Sequence, residues 1–231
     1  MKTLGLVGGM GPEATIDYYR LIVAAYVAKA PAGDYPPLLI SSINLRTLLH
    51  CFQTNALTEA AELISRELDK LAAGGADFGV ISSCSSHCVF DAVSRRSPIP
   101  LLNIVEATAD AAEGLGLKKV GLIGARFTMQ GRFFAEPFSR RGISLVTPEP
   151  DEQAYIHEKY LGELVKGVVL PETRGGLLAI VEKLREREAI QGLILGGTEL
   201  PLILRDAPDQ RIPFLDTARI HVDRIIAEYF A

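Results

Sequence analysis

The segment 79-GVISSCSS-86 is matched, 113 residues further along the chain, by 192-GLILGGTE-199. Both segments begin with glycine and an apolar run of strand length. Such a start is common to the strands of any α/β protein, so one match alone has little weight. Three matches in the same order along the chain favour an internal repeat, which predicts two related α/β halves. The other two matches are 3-TLGLVG-8 with 119-KVGLIG-124, and 99-IPLLN-103 with 212-IPFLD-216.

Apolar runs of strand length alternate with helical patterns along the chain. Strands are predicted at 3–8, 37–43, 78–83, 99–104, 119–124, 143–147, 192–196 and 212–216, and helices near 12–29, 55–73, 104–114, 128–140, 151–167, 173–188 and 217–230. Because the strands are apolar on both faces, they predict mainly parallel sheets flanked by helices. The predicted fold class is therefore α/β, with two pseudo-symmetric halves and an active-site cleft between them. We assign residues 1–103 plus 217–231 to the half that carries Cys84, and residues 104–216 to the half that carries Gly197.

Composition narrows the class of protein. With 231 residues, 48% of them hydrophobic, the chain can bury a substantial core. Its formal net charge is -4 without a basic stripe, which gives no support to nucleic-acid binding, and no apolar run reaches membrane-spanning length. The segment 1-MKTLGLVGGMGPE-13 runs into Gly-Gly without a cleavage site, so we interpret it as a first strand rather than a signal segment.

The three cysteines, Cys51, Cys84 and Cys88, show neither a framework spacing nor a CxxC pair. This pattern argues against a disulfide scaffold and a metal site, and it fits the reducing cytoplasm. Cys88 continues into the helical pattern 89-VFDAV-93 and is expected in the core. Cys51 lies in 50-HCFQTN-55, which has the composition of a mobile segment.

Polar residues gather where the predicted strands end, which is where open α/β sheets bind ligands. In 8-GGMGPEAT-15, glycines follow a strand and Pro12 suits the first turn of a helix. The segment has neither a GxGxxG nor a GxxxxGK[ST] pattern, so it does not predict a nucleotide site. It is either a contact for a carboxylate or small anion, made by the N–H groups at the helix start, or simply a tight strand–helix turn.

Cys84 follows a predicted strand beside a predicted helix start, where Ser85 or Ser86 could serve as the cap. A thiolate in that place could attack a substrate or move a proton, whereas a lone cysteine is more often a small buried residue. His87, three residues later, is either a partner of Cys84 on one helical face or, as we slightly favour, a helix-surface residue.

Five further polar residues lie near the ends of predicted strands or helices. Arg46 and Arg126 follow strands, where a guanidinium group either binds a carboxylate or is solvated in a loop. Lys166, in 161-LGELVKG-167, is interpreted as an exposed cation at a helix end. Thr198 could cap a helix, and Glu199 could bind an amine or lie in the first turn of that helix.

Taken together, these segments resemble the aspartate/glutamate racemase family over nearly the whole chain. The resemblance implies two pseudo-symmetric α/β halves, no cofactor, a small amino-acid or dicarboxylic-acid substrate, and a homodimer. The segments that carry it are KTLGLVGGMGPEAT (2–15), GADFGVISSCSSH (75–87), IPLLNIVEAT (99–108), GLIGARFTM (121–129), DEQAYIHEKYLGELVKG (151–167), GLILGGTELPL (192–202) and IPFLDTARIH (212–221).

Members of this family typically carry a cysteine in each half, in motifs like CNT and GCTE, which act as acid and base on opposite faces of the substrate Cα. By this resemblance, Cys84 is the first of the two cysteines. The second falls on Gly197, because GCTE reads 196-GGTE-199 here, and Ser85-Ser86 replaces the usual Asn-Thr. Since glycine has no proton to give, a full two-thiol cycle is excluded.

Three explanations of Gly197 stay open. In the first, water or another group such as Glu199 takes the second role. In the second, Cys84 acts alone, as in single-cysteine lyases or isomerases of the wider superfamily. In the third, position 197 has been altered in this chain, or the chain binds small amino or dicarboxylic acids with little turnover. Aspartate or glutamate fits a site with several anion-binding groups. The resemblance implies that the substrate is lined by Met10, Ser85, Ser86, Thr128, Lys166 and Thr198, with Arg46, Arg126 and Glu199 as further candidates.

Overall fold

The computed structural model describes residues 1–31, 33–206 and 211–231. Two compact units make up the chain: residues 1–104 together with 221–231, and residues 105–220. Each unit is built on a four-stranded parallel sheet. The predicted α/β fold class, with two parallel sheets flanked by helices, is confirmed. Within the described residues, no helix combines the length and the apolar composition that a membrane span needs.

The sheet of the first unit has the strand order β2-β1-β3-β4. Its strands are β1 (Leu4–Gly8), β2 (Leu38–Ser42), β3 (Phe78–Ile81) and β4 (Leu101–Leu102). The central strands β1 and β3 are buried along their whole length, as expected of apolar strands covered on both faces, whereas the edge strand β2 is only partly buried. Because all pairs are parallel, the carboxyl ends of β1 and β3 lie side by side.

Helices alternate with these strands in the first part of the chain. They are α1 (Pro12–Lys29), α2 (Leu45–Gln53), α3 (Leu57–Ala73), a 3₁₀ helix (Ser85–Val89) and α4 (Phe90–Arg96), followed by α5 (Ile104–Gly114), which belongs almost wholly to the second unit. The core of this unit forms where α3 packs Ile64, Leu68 and Leu71 with Val7 and Ile81 of the central strands. Burying each of these side chains contributes roughly 1.5–3 kcal/mol.

The second unit repeats the strand order of the first, as β6-β5-β7-β8. Its strands are β5 (Lys119–Ile123), β6 (Ser144–Val146), β7 (Gly192–Leu195) and β8 (Phe214–Asp216). Its helices are α6 (Arg126–Gln130), α7 (Arg132–Arg140), α8 (Pro150–Gly162), a 3₁₀ helix (Leu164–Lys166), α9 (Pro171–Glu188), α10 (Leu200–Leu204) and α11 (Thr217–Tyr229), which continues into the first unit. A separate core packs Ile156 of α8 and Leu184 of α9 with Leu193 of β7.

Two local predictions are wrong. The predicted helix at 128–140 is two helices, α6 and α7, that meet at Gly131, where a Cβ would lie 2.7 Å from the carbonyl oxygen of Phe127. The segment 50–55, interpreted as mobile, falls largely within α2, which buries Cys51 in the core of the first unit.

Candidate functional site

The loop after β1 passes very close to the end of β2. Gly9 has a φ of 81°, and a Cβ there would lie 2.4 Å from Ser42 Oγ, so only glycine fits. Thr15 fixes the loop, because its Oγ1 accepts a hydrogen bond from Gly9 N at 2.8 Å and donates to Gly11 O at 3.1 Å. Met10 is thereby held, buried, at the carboxyl end of the first sheet.

The helix that follows this loop begins as the sequence predicts. Pro12 is the first residue of α1, and Gly11 occupies the N-cap position without a side-chain capping bond. The strand–helix turn expected from the glycines is therefore present. Anion binding at this helix start stays a prediction.

Cys84 lies just past the end of β3, immediately before the 3₁₀ helix Ser85–Val89. Its side chain is buried, with 2% of its surface exposed. Two residues along, Ser86 Oγ lies 3.1 Å from Ser83 Oγ and 3.4 Å from Met10 Sδ. The loops after β1 and β3 therefore meet next to the cysteine, and they bring together two of the predicted substrate-binding residues, Met10 and Ser86.

The predicted helix cap at Ser85 or Ser86 is wrong. Cys84 itself takes the N-cap position of the 3₁₀ helix, with no capping bond from its side chain. The serine that holds this turn is Ser83, whose Oγ accepts a hydrogen bond from Ser86 N at 3.4 Å. Ser85 is half-buried and Ser86 is fully buried.

His87 is a buried structural residue, so its interpretation as a helix-surface residue is wrong. Its Nε2 accepts a hydrogen bond from Ile104 N at 3.3 Å, which leaves the proton on Nδ1 for donation to Ser83 O at 2.8 Å. Its ring stacks on Phe90 with a centroid separation of 5.0 Å. Burial lowers the pKa of His87 to about 4, so the imidazole is neutral near pH 7. It positions the serine that precedes Cys84.

The other two cysteines differ from Cys84 in their surroundings. Cys51 is buried in the apolar core of the first unit. Cys88 packs against the same core and is half-buried. Burial raises the pKa of the Cys88 thiol to about 12, so it stays protonated and unreactive near pH 7.

In the second unit, the loops after β5 and β7 also pass close together. A Cβ at Gly124 would lie 2.6 Å from Gly196 O. Two residues of the predicted substrate-binding set are buried beside these loops: Thr128, whose N–H donates to Ala125 O at 2.8 Å, and Thr198. The second unit therefore gathers buried hydroxyl groups at the carboxyl ends of its central strands.

Gly197 faces the ring of Tyr160. A Cβ at position 197 would lie 2.4 Å from Tyr160 Cε2 and 2.8 Å from the tyrosine hydroxyl. Tyr160 belongs to α8 and is 7% exposed. The space into which a side chain at 197 would project is thus occupied by an aromatic ring from another element.

The Tyr160 hydroxyl group is hydrogen-bonded to a buried carboxylate. It donates a hydrogen bond to Glu199 Oε2, and Thr198 Oγ1 donates to the same oxygen at 3.2 Å. Glu199 is 0% exposed and takes the N-cap position of α10, so the predicted cap at Thr198 is wrong. Tyr160, Glu199 and Thr198 form a buried polar cluster, which we call the tyrosine–carboxylate cluster.

The segment between β3 and Cys84 is longer than the segment between β7 and Gly197. In each sheet the central pair is in register, with Val7 opposite Ile81 in the first and Ile123 opposite Leu195 in the second. Cys84 comes three residues after Ile81, whereas its partner in the sequence repeat, Gly197, comes two residues after Leu195. One additional residue therefore precedes Cys84.

The predicted basic residues are exposed: Arg46 in α2, Arg126 at the start of α6, and Lys166 at the end of a 3₁₀ helix. Arg126 N donates to His157 Nδ1 at 3.2 Å. The pKa of His157 is lowered, first by burial and then by the Arg126 charge. The roles of Arg46, Arg126 and Lys166 in substrate binding stay predictions.

Sequence reasoning missed Tyr160 and His157, although both lie in a segment it quoted, 151–167. In the described ranges, no group of three or more His, Cys, Asp or Glu residues is arranged to bind a metal ion.

The chain matches a family model described as Asp/Glu/hydantoin racemase over residues 7–225. Because this match spans nearly the whole chain, the protein belongs to the Asp/Glu/hydantoin racemase family. The resemblance inferred from the sequence is confirmed.

Solved structures of similar proteins share this fold from end to end. One, from Yersinia pestis, is described as a candidate Asp/Glu racemase; it is 29% identical, covers 100% of both chains and has a TM-score of 0.89. An aspartate racemase homologue from Pyrococcus horikoshii OT3 is also 29% identical over 100% of both chains, with a TM-score of 0.85. Picrophilus torridus aspartate racemase, 20% identical over 99% of this chain and 94% of its own, has a TM-score of 0.80 and shows the likeness of fold alone.

Proposed function

We propose that this protein is a cofactor-independent amino-acid racemase that moves the α-proton of aspartate or glutamate through Cys84. The observation that carries the proposal is the place of Cys84 in a chain of this family. Cys84 lies between Ser83 and Ser86 in the loop after β3, and this loop meets the loop after β1 where Ser86 Oγ contacts Met10 Sδ. That is the end of the sheet at which α/β folds bind ligands.

The chemistry demands a strong base and a stabilised carbanion. The α-proton of an amino acid is very weakly acidic, so the transition state gains from groups already oriented toward the developing negative charge. A cysteine acts as a base in its thiolate form. General acid–base catalysis by one positioned side chain typically contributes about 10²–10⁴-fold to the rate.

The polar groups of both units suit the binding of an acidic amino acid. Hydroxyl groups donate to carboxylates, and exposed cations attract an anionic substrate. We propose that the residues in contact with the substrate are Met10, Ser85, Ser86, Thr128 and Thr198, with Arg46, Arg126 and Lys166 as the cations and with Glu199 acting through the hydroxyl groups bonded to it. We further propose a homodimer in the cytoplasm, an assembly that light scattering during size-exclusion chromatography would test.

A second candidate function is favoured by Gly197. With no thiol at that position, Cys84 could act from one side only, as in a single-cysteine lyase or isomerase of the same superfamily. The absence of a thiol at position 197 also motivates a third candidate, a protein that binds small amino or dicarboxylic acids without turnover. These candidates differ in the fate of the substrate α-proton.

Hydrogen exchange at Cα separates the three functions. Each enantiomer of aspartate and glutamate is incubated with the protein in D₂O, while NMR follows deuteration and chiral chromatography follows configuration. Exchange with inversion supports racemisation, and exchange with retention supports one-sided proton transfer. Binding of these acids without exchange of any of them would contradict the proposed enzyme.

Two cysteine variants assign the base. Cys84→Ser is expected to lower the rate of racemisation by about 10²–10⁴-fold, since serine keeps the size but is a far weaker acid. Cys88→Ser is the matched control, because Cys88 is a nearby thiol that burial keeps protonated. Equal racemisation by wild type and Cys84→Ser would overturn the assignment of Cys84.

A further inference from the structure

We propose that Tyr160 takes the second acid–base role in racemisation, with Glu199 as its proton partner. The inference rests on the proposed function, because it names the group that takes the acid–base role left open by Gly197. Three observations support it: the space around Gly197, the burial of Glu199, and the hydrogen bond between the two side chains.

The first observation is that Tyr160 takes the place of a side chain at position 197. The sequence repeat pairs Gly197 with Cys84. Gly197 does not have a positive φ, so its backbone would accept any residue. A Cβ there would nevertheless meet the Tyr160 ring at 2.4 Å and its hydroxyl at 2.8 Å. The hydroxyl therefore lies close to where the thiol of a cysteine at 197 would begin.

The second observation is a carboxylate in an apolar core. Glu199 is 0% exposed, and Tyr160 packs in the same cluster as Ile156, Leu164 and Leu200. An ionised carboxylate is costly to bury unless hydrogen bonds compensate it, and buried groups of this kind concentrate at functional sites. Hydrogen bonds from Tyr160 and Thr198 to one oxygen supply that compensation.

The hydrogen bond between the two side chains provides a path for a proton. Glu199 is fully buried, so its proton can reach a substrate only through a neighbour. Two hydroxyl groups are bonded to Glu199 Oε2, and Tyr160, at 7% exposed, is more accessible than Thr198 at 1%, so we assign the relay to Tyr160. A phenol suits a relay, since its oxygen can donate one proton while it accepts another.

The proton count balances over one turnover. The Cys84 thiolate takes the proton from Cα, and the electron pair of the broken C–H bond stays on the substrate. The Tyr160 O–H bond then breaks as its proton forms a new C–H bond with inversion at Cα, while the tyrosine oxygen takes the proton of a protonated Glu199 carboxyl group. The cycle ends with a Cys84 thiol and a Glu199 carboxylate that accepts the Tyr160 hydrogen bond, and the reverse reaction runs from that state.

The test is the stereochemistry of deuterium exchange in Tyr160→Phe. Phenylalanine keeps the ring that fills the space at Gly197 and removes only the hydroxyl. Interconversion of enantiomers is expected to fall at least about 100-fold. One enantiomer should still exchange its α-proton with retention, through Cys84. In Cys84→Ser, retention should instead persist for the opposite enantiomer.

This mirror-image pattern separates a catalytic Tyr160 from a structural one. A tyrosine needed only for packing would leave both exchange reactions intact once the phenylalanine variant folds, and circular dichroism checks that folding. Glu199→Gln keeps a hydrogen-bonding side chain but cannot pass a proton, so it should reproduce the Tyr160→Phe pattern. Tyr155→Phe, on the same helix, is the matched control and should racemise like wild type.

A rescue experiment adds an independent measurement. In Tyr160→Ala the ring is gone, and combining it with Gly197→Cys places a thiol in the vacated space. Racemisation by the double variant is expected to exceed that of Tyr160→Ala by at least about tenfold. Wild-type racemisation by a folded Tyr160→Phe would overturn the inference and leave the proposed function standing. Absence of exchange in the wild type would instead defeat the proposed function.

Discussion

Gly197 and Gly9 both follow the end of a strand, but the reason that a side chain is disfavoured differs between the two positions. Gly9 has a φ of 81°, so its own backbone disfavours a side chain. Gly197 lacks a positive φ, and the constraint there is the ring of Tyr160. A substitution at 197 therefore tests packing against one partner, and the effect should depend on that partner.

A double-mutant cycle tests this dependence. Gly197→Ala should lower the free energy of unfolding by about 1–3 kcal/mol, because its Cβ would meet the Tyr160 ring at 2.4 Å. In a Tyr160→Ala background the same change should cost much less. Urea denaturation measures both. Gly162→Ala, where a Cβ would meet nothing within 4 Å, is the control; equal costs of Gly197→Ala in both backgrounds would contradict the proposed packing.

Single residues show where sequence reasoning works and where it stops. Cys84 could be singled out, because it ends a predicted strand and lies in a recognisable motif. Tyr160 could not, because its spacing in a helical pattern marks it as an ordinary core residue. Its importance comes from contact with Glu199, 39 positions away, which no local pattern reveals. Glu199 itself was a candidate by motif alone, without its partner.

At the scale of elements, α2 is the clearest omission. The polar composition of 50–55 suggested a mobile segment, but Leu45, Leu48 and Phe52 recur at helical spacing. Asn44 supplied a start signal as well. Its side chain accepts hydrogen bonds from Arg46 N at 3.0 Å and Thr47 N at 3.3 Å, as an N-cap does. Spacing and cap together would have predicted this helix.

Removal of this cap should have a measurable cost. Asn44→Ala is expected to lower the free energy of unfolding by about 1 kcal/mol, because two N–H groups at the start of α2 lose their acceptor. Thermal and urea denaturation measure the effect. Asn44→Asp keeps an acceptor oxygen and should stay close to wild type. If the aspartate variant lost as much stability as the alanine variant, the capping role would be excluded.

At the scale of the whole molecule, the two parallel sheets were the most predictable feature. The repeated apolar strands carry that information locally, and parallel pairing follows from their burial on both faces. The buried histidines were less predictable. His87 and His221 lie 6.4 Å apart between ring centroids, although 134 positions separate them in the chain. Only the folded structure removes both from water.

These histidines should make stability fall in mild acid. Burial lowers the pKa of His87 to about 4 and, together with repulsion from His87, that of His221 to about 3. Unfolded histidines titrate near pH 6.5, so below that pH the unfolded chain binds protons that the folded chain does not. The stabilisation is complete above about pH 6.5 and declines toward pH 4, by up to about 1.4 kcal/mol per pH unit for each histidine.

Urea denaturation between pH 7.5 and 5 measures this decline before most carboxylates titrate. The groups facing His87 are Ser83 O, Ile104 N, Phe90 and His221. The groups facing His221 are His87, the Tyr18 hydroxyl and Leu102 O. The half-buried His157, whose pKa is also lowered, adds in the same direction. His221→Gln should flatten the pH dependence, whereas His50→Gln, at an exposed position, should not. A stability that is constant over this range would contradict the prediction.

The first unit includes residues 221–231, and this has a consequence for biosynthesis. Tyr229 donates to Pro37 O at 2.9 Å, and Lys2 pairs with Glu228 at 2.6 Å. A ribosome makes these contacts possible only after it has translated all of residues 105–220. The second unit is one unbroken stretch of chain, so it can close while the first still lacks these partners. The first strand of the first unit leaves the ribosome before any strand of the second. We nevertheless expect the second unit to finish folding first.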